Sequence, residues 1–407
     1  MRTPFTSTLA AASAGLMAVT LAACAGAGGA GAGSDVIRLG VIGPTSGAQA
    51  EIGENQLAGA EVAAAQINAE GGIDGKQISI VSQDEGGSPD AAAAAIRRLS
   101  NDDVDLQLGM LSSANCLATA PTLPRLQVVM VSSGCTNDGL TGQDGEEAPY
   151  ENFFRVGTHD SLLVETLAGV VAEEHPDVTD YSAFGYDYVT GTSQWELYQE
   201  TLQEAGVDLG VQDETFVALG EQNFKPYVQA LSSASGDPTA SGLYLGTYGA
   251  GTASFLQQAQ DLDLASKFEV LVQPGGYYPV ARTLGGRAPK MWNAYDYNYA
   301  AFDTKMNEGF IKNFEDKAGK KPISWSYGAY LAVYAYKAAI EEAGSTEFGD
   351  VLKALPGVEF ESPAGPLTID ETTHQANTPV VVTLSVGDAK APEDVRIIES
   401  RVVEPEN

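Results

Sequence analysis

Basic residues are scarce in this chain. Its 407 residues hold 22 Lys and Arg against 54 Asp and Glu, a formal charge of −32. A surface of that sign repels phosphates, which argues against nucleic acid as a partner. It favours a solvated body that does not stick to other surfaces. Histidine is rarer still. His159, His175 and His374 show no metal-ligand spacing such as H-E-x-x-H, and no G-x-S-x-G elbow occurs, so neither a zinc centre nor a serine hydrolase is legible. Beyond residue 24 no segment is apolar for long enough to span a bilayer as a helix.

The one apolar run stands at the start. Arg2 is followed by an apolar and small-residue stretch from Leu9 to Leu21, which closes in Leu21-Ala22-Ala23-Cys24. The run is too short for a membrane span and has the proportions of an export signal. Its last four residues resemble a bacterial lipobox, which implies that Cys24 is lipidated and becomes the mature N-terminus. Ala25 to Gly33 then reads as a flexible tether of small residues. The expectation is a signal peptide over 1–24, a tether over 25–35, and a body anchored by lipid to the outer face of the cytoplasmic membrane.

Cysteine is nearly absent too: only Cys116 and Cys135 remain after processing. Export places them in an oxidising setting, where such a pair is either a disulfide or two buried thiols. Each follows a predicted strand by a few residues, so they meet at one sheet edge if those strands are neighbours.

Glycine, by contrast, is plentiful, and INAEGGIDGKQISIVSQD (67–84) looks at first like a phosphate loop. That motif needs four residues between its glycines and Ser or Thr after the Lys. Three residues separate Gly71 from Gly75, and Gln77 follows Lys76. The direction is also reversed, since Leu57, Ala60, Ala64 and Ile67 recur at helical spacing before it and Gln77 to Val81 alternates like a strand after it. These glycines close a helix.

Strand and helix signals alternate from Val36 onward. Strands are expected at 36–42, 77–81, 105–108 and 128–131, with helices over 54–69, from Ser88-Pro89-Asp90, and from about Ala114. A second series begins after Arg155, and two strong helices (304–318 and 326–343) precede short late strands. Repeated β-α units imply parallel sheets with right-handed crossovers. The fold class is therefore α/β, and ligands of such sheets bind beyond the carboxyl ends of the strands. The loops there, GPTSGAQAEIG, GMLSSANC and SSGCTND, are rich in Ser, Thr, Gly and Asn, which suits a carboxylate or another small anion.

GVIGPTSGAQAEIG, AAAQINAEGGIDGKQISIVSQDEGGSPDAA, LGMLSSANCLATAP, VVMVSSGCTNDGLT and FFRVGTHDS resemble, in order and spacing, the branched-chain amino-acid-binding family of ABC-transporter solute receptors. The resemblance runs from about Val36 to Val402. It implies a type I periplasmic-binding-protein fold, two Rossmann-like lobes joined by three hinge crossings. Lobe 1 would comprise 36–156 and 297–362, and lobe 2 would comprise 157–296 and 363–402. The implied molecule is a monomeric, non-catalytic receptor without a cofactor, which closes on a small solute and docks on an ABC permease.

The same resemblance assigns site residues. Ser113 and Thr136 match hydroxyls that hold a solute carboxylate, with Gly134 a backbone contact between them. Tyr188 and Tyr248 match aromatics of the second lobe. Where amino-acid receptors carry an acid for the α-ammonium, this chain has Gln273-Pro274-Gly275-Gly276, so Gly275 stands in its place. Asp160 is either a substitute for that acid or a cap on the helix starting at Ser161. Tyr277, with Tyr278, either lines a roomier pocket or packs. His159 either touches solute or serves the hinge. Two other readings stay open at this point: a sensing lipoprotein of the same fold, and a dinucleotide-dependent enzyme built on the Gly249 and Gly251 turn.

Overall fold

The computed structural model describes residues 36–143, 145, 148–234 and 236–405. Cys24, the export signal and the tether lie outside the described residues.

The first lobe begins with β1 (Val36–Gly43), α1 (Ala50–Ala69), β2 (Gln77–Asp84), α2 (Pro89–Asn101), β3 (Leu106–Gly109), α3 (Ser113–Thr119), α4 (Leu123–Leu126), β4 (Val129–Ser132) and β5 (Phe153–Arg155). Its sheet has the order β2-β1-β3-β4-β5, parallel throughout. The start of α2 follows from its residues: Ser88 caps it by accepting from the Ala91 N–H, and Pro89 fills the first turn, where no donor is needed.

The turn after α1 is held by glycine backbone and by the Asn68 side chain, which donates to the Ile78 carbonyl and accepts from its N–H at 2.8 and 2.7 Å. Gly71, Gly72 and Gly75 all have positive φ, and the Gly72 N–H donates to the Ile67 carbonyl at 2.9 Å. A Cβ on Gly72 would stand 2.1 Å from the Lys76 carbonyl oxygen. Ile73 and Lys76 exchange two hydrogen bonds of 2.9 Å, which turns the chain directly into β2.

The chain then enters the second lobe: α5 (Asp160–Glu174), β6 (Asp180–Asp187), α6 (Val189–Glu204), β7 (Gly210–Ala218), α7 (Lys225–Ala234), β8 (Ser241–Gly246), α8 (Ala250–Ala259), β9 (Val270–Pro274), α9 (Tyr277–Leu284) and β10 (Met291–Tyr295). It returns to the first lobe with α10 (Lys305–Ala318), α11 (Ser324–Ala343), α12 (Phe348–Ala354) and the hairpin β11 (Glu359–Phe360) and β12 (Leu367–Thr368). It ends with β13 (Val380–Gly387) and β14 (Val395–Val403), which complete a seven-stranded sheet of order β14-β13-β10-β9-β8-β6-β7. Within it β13 runs antiparallel to both neighbours, because it enters from the far side of the hinge.

Small residues on α1 let α11 approach closely. A Cβ on Gly59 would fall 2.0 Å from the Ser326 carbonyl oxygen. From α11, Tyr336 reaches under the sheet and its hydroxyl shares its one proton between the Gln107 and Val129 carbonyls, at 2.6 and 2.9 Å. Residues 363–376, expected in the second lobe, differ from that expectation. Leu367, Ile369 and Ala376 are buried in the same apolar cluster as Leu39, Val131 and Tyr330. The third crossing therefore falls near Gln375–Thr378, beside the first: Arg155 bridges Gln375, and the Thr378 hydroxyl donates to the Val156 carbonyl at 2.6 Å.

Candidate functional site

Two loops at the carboxyl edge of the first sheet are joined covalently. Cys116 on α3 and Cys135 after β4 form a disulfide, so α3 and the Gly134–Thr136 segment are stapled together. The Ser113 hydroxyl oxygen accepts from the backbone N–H of Thr136 at 3.2 Å and of Asn137 at 3.3 Å. A hydroxyl has two acceptor lone pairs and one proton to give. With both lone pairs engaged, the Ser113 hydroxyl can act further only as a donor. Gly134 admits no side chain, since a Cβ there would stand 2.5 Å from the Met110 carbonyl oxygen.

Behind these loops lie two charged groups that sequence reasoning overlooked. The buried Glu85 carboxylate accepts from the Leu111 and Ser112 N–H groups at 2.8 and 3.0 Å and from the Asn115 side-chain amide at 2.9 Å. Burial pushes its pKa up, partly offset by those bonds. It fixes the start of α3 and hence Ser113. The buried Arg155 guanidinium donates to the Cys135 and Asn137 carbonyls at 3.2 and 2.8 Å, and also to Thr141 and Gln375. FFRVG carried a signal in its single basic residue inside an apolar strand.

Across the cleft the second lobe contributes aromatics. Tyr188 follows β6 and Tyr248 follows β8, with ring centroids 6.0 Å apart. Ser113, Gly134, Thr136, Tyr188, Tyr248 and Gly275 all line one cavity. Leu111, Thr190, Gln194, Tyr295 and Trp325 line it as well and were not anticipated. Tyr295 ends β10, a strand that the sequence pattern did not reveal, and Trp325 comes from the first turn of α11 in the other lobe. Among the described residues no Lys, Arg, His, Asp or Glu lines this cavity.

Asp160 and Tyr277 depart from their expected places. Asp160 is buried behind the wall, where its Oδ1 accepts from Gln194 Nε2 at 2.7 Å. Burial, with a contribution from Asp138, pushes its carboxyl up to about 7. It does not cap α5. His159 stands at the N-cap, its Nδ1 3.0 Å from the Asp138 carboxylate, and that carboxylate takes the Ser161 N–H at 3.2 Å. Burial raises Asp138 as well, but His159, Arg155 and the Ser161 N–H outweigh that and hold it below its ordinary value. Tyr277 stands outside this cavity, its hydroxyl donating to the Pro289 carbonyl at 2.6 Å.

The same architecture occurs in proteins already known. A sequence profile described as periplasmic binding protein matches residues 36–389. The chain belongs to the periplasmic binding protein family.

This periplasmic binding protein is 26% identical over 345 residues to the leucine-, isoleucine-, valine-, threonine- and alanine-binding protein of Pseudomonas aeruginosa, an alignment spanning 83% of this chain and 87% of that one. Its fold matches a solute-binding protein of an ABC transporter from Rhodopseudomonas palustris BisB5, crystallised with 3,4-dihydroxybenzoic acid. The TM-score is 0.77 at 18% identity, covering 91% of this chain and 99% of that one. An amino acid ABC transporter substrate-binding protein of Pseudomonas fluorescens Pf-5 matches with a TM-score of 0.76 at 19% identity, over 91% and 97% of the two chains. The family and these neighbours are solute-binding proteins of ABC transporters, not enzymes. In this binding protein the Gly249 and Gly251 turn is filled by protein: a Cβ on Gly251 would lie 2.0 Å from the Tyr186 hydroxyl, and Gly249 faces Gln49 and Ile52 of the first lobe. No helix among the described residues is long and apolar enough to cross a membrane.

Proposed function

We propose that this chain is the extracytoplasmic receptor of an ABC importer, held to the membrane by lipid on Cys24, and that it captures a small carboxylate-bearing solute between its lobes. One observation carries the solute class. The Ser113 hydroxyl has both lone pairs occupied by the Thr136 and Asn137 N–H groups, so it faces the cleft as a donor. Beside it stand the Thr136 side chain and the Gly134 backbone. A carboxylate accepting from such donors makes charge-assisted hydrogen bonds without a lysine or arginine in the wall.

The amino end of an amino acid is poorly served. Gly275 offers no charge, and Asp160 lies behind Gln194. A buried ammonium without a counter-charge loses several kcal/mol in desolvation, on the order of what unpaired buried charges cost. This favours acids and amides without a free ammonium over zwitterions. Closure is supported by the Glu51 carboxylate of the first lobe, which pairs with Arg282 of the second and also with Lys320 at 3.2 Å. A solute that binds the closed form better than the open one would draw the lobes together.

A thermal-shift screen of signal-less protein, refolded to remove copurified ligand, tests this reading. The panel pairs amino acids with their deaminated acids and their amides, and adds aromatic carboxylates. Ligand at about a hundred times its dissociation constant adds about 2.7 kcal/mol of stability. Shifts from deaminated or aromatic acids are expected. Shifts from amino acids alone would overturn the preference, and a flat panel would overturn the carboxylate reading.

A further inference from the structure

The wall of the solute cavity carries no charged side chain among the described residues, but the layer behind it does. Arg155 and Asp138 offset one another there: burial opposes the charge on each, and each favours the charged form of the other. Burial pushes His159, beside them, below its ordinary value, so it adds no charge at neutral pH. Asp160 is the group left over.

Its surroundings are polar but neutral. Among the described residues the Asp160 carboxyl has Gln194 Nε2, at 2.7 Å, and the Thr136 hydroxyl as hydrogen-bond partners. The Asp160 N–H donates to the Thr136 carbonyl at 2.8 Å. Tyr188, Tyr244 and Tyr295 face the same carboxyl, and burial first, with the Asp160 charge added to it, holds all three phenols protonated. Both hydrogen-bond partners of the carboxyl line the cavity. Asp160 therefore stands one side chain behind the place assigned to the solute carboxylate.

The Thr136 hydroxyl has a single proton to give. An ionised Asp160 is an acceptor only and takes that proton, which leaves the solute nothing to accept from at Thr136. A neutral Asp160 reverses the bond. The oxygen that accepts from Gln194 is then the carbonyl one, and the other carries a proton that it donates to Thr136 Oγ1. The Thr136 proton is thereby freed for the cleft. Charge acts in the same direction, since a carboxylate in the cavity puts a second anion close to Asp160 across an uncharged, buried wall. Burial, with Asp138, already brings the Asp160 carboxyl up to about 7, so the balance between the two arrangements falls near neutral pH.

Resting on the carboxylate reading above, we infer that this receptor captures its anionic solute together with one proton, which resides on Asp160 and turns the Thr136 hydroxyl toward the solute. The proton comes from solvent and returns to it when the solute leaves. Asp160 is a positioning residue, acting on the solute through Thr136. An anion is thus held in a wall without lysine or arginine, and is released more readily in alkaline surroundings.

Titration calorimetry on the signal-less, refolded protein tests this with benzoate, 4-hydroxybenzoate and 4-methylpentanoate, acids that stay ionised between pH 6 and pH 8.5. In the native sequence affinity is expected to fall as pH rises, by up to about tenfold per unit above neutrality, the slope of one linked proton. Titrations at pH 8 in buffers of different ionisation enthalpy should show uptake of close to one proton per solute. The amide of Asp160→Asn donates to Thr136 and accepts from Gln194. That variant should bind at pH 8.5 within about twofold of the native affinity at pH 6, and take up no proton. If it does not fold, the buffer comparison on the native protein decides alone. Acids that bind with a flat pH profile and no proton uptake overturn the coupling while the carboxylate reading stands. A slope that survives in Asp160→Asn assigns the proton to another group and does the same. Leucine bound more tightly as pH rises from 6 to 8 would show an ionised Asp160 serving an ammonium, which also overturns it. Failure of every acid at every pH overturns the carboxylate reading and the coupling together.

Discussion

Arg155 and Gln375 are 220 positions apart in sequence and share a buried hydrogen bond, from the guanidinium Nε to the side-chain carbonyl. The same guanidinium holds the Cys135 and Asn137 carbonyls. One cation thus joins the loop that carries Gly134 and Thr136 to the third crossing between the lobes.

Ser113→Ala removes the donor proposed for the solute carboxylate and an acceptor for the Thr136 and Asn137 N–H groups. Affinity for the best carboxylate should fall by about 1.5–3 kcal/mol, the range for hydrogen bonds to charged groups. Calorimetry on the variant reads this directly. An unchanged dissociation constant would place the carboxylate elsewhere.

Breaking the disulfide acts on stability and affinity together. The bond spans 19 residues, and a loop of that size restrains the unfolded chain by about 3 kcal/mol. Cys116→Ser with Cys135→Ser should lower the melting temperature by several degrees and weaken solute binding, since the stapled segments carry Ser113 and Thr136. Intact affinity with lowered stability would show that other contacts, Arg155 foremost, suffice to place the loops.

Asp160 makes stability depend on pH in an unusual direction for an acid. Its carboxyl is pushed from its ordinary 3.8 up to about 7 by burial. The folded state therefore binds a proton that the unfolded state has released. The stabilising contribution is complete below about pH 4 and is lost as pH rises through 7. Asp160→Asn, which keeps an acceptor for Gln194, should gain about 1–3 kcal/mol relative to the native sequence between pH 5 and pH 8. Denaturant midpoints of both proteins at the two pH values give the sign. A relative loss at pH 8 would mean that the buried carboxylate is paid for by an interaction absent here.

Arg282→Ala tests the contact between the lobes. Glu51 is half exposed, so the pair is worth about 0.2–1 kcal/mol. The expected result is a modestly faster solute release whose difference from the native sequence shrinks at high salt. A loss well beyond that range would give the pair a part in holding solute itself.

The sheets, and the loops that bring Ser113 and Thr136 to one cavity, were legible because their signals are local. Ser113 and Thr136 sit in short Ser- and Gly-rich segments directly after apolar strands, and the Ser88-Pro89 start and the glycine closure after α1 each follow from a few adjacent residues. Trp325 and Tyr295 were not legible as site residues. Each reaches the cavity through the return of the chain across the hinge, which no local pattern encodes. Tyr277 directly follows the turn that carries Gly275, but its hydroxyl is claimed by Pro289, a contact made only once α9 has packed. The place of residues 363–376 depends on the β11–β12 pairing and on burial of Leu367 and Ile369 against α11. That competition between lobes is settled by non-local burial, which sequence periodicity does not report.

The wiring through Arg155 has a consequence for how affinity can be altered. Gln375 also donates to the Gly157 carbonyl in the first crossing, at 2.7 Å. Two of the three interlobe segments and the loop that carries Gly134 and Thr136 therefore converge on one pair of side chains. For the closure proposed above, linkage is reciprocal: whatever solute does to the balance of open and closed forms, that balance does to solute. Gln375, which lines no part of the cavity, becomes a dial for the dissociation constant set from outside the binding site.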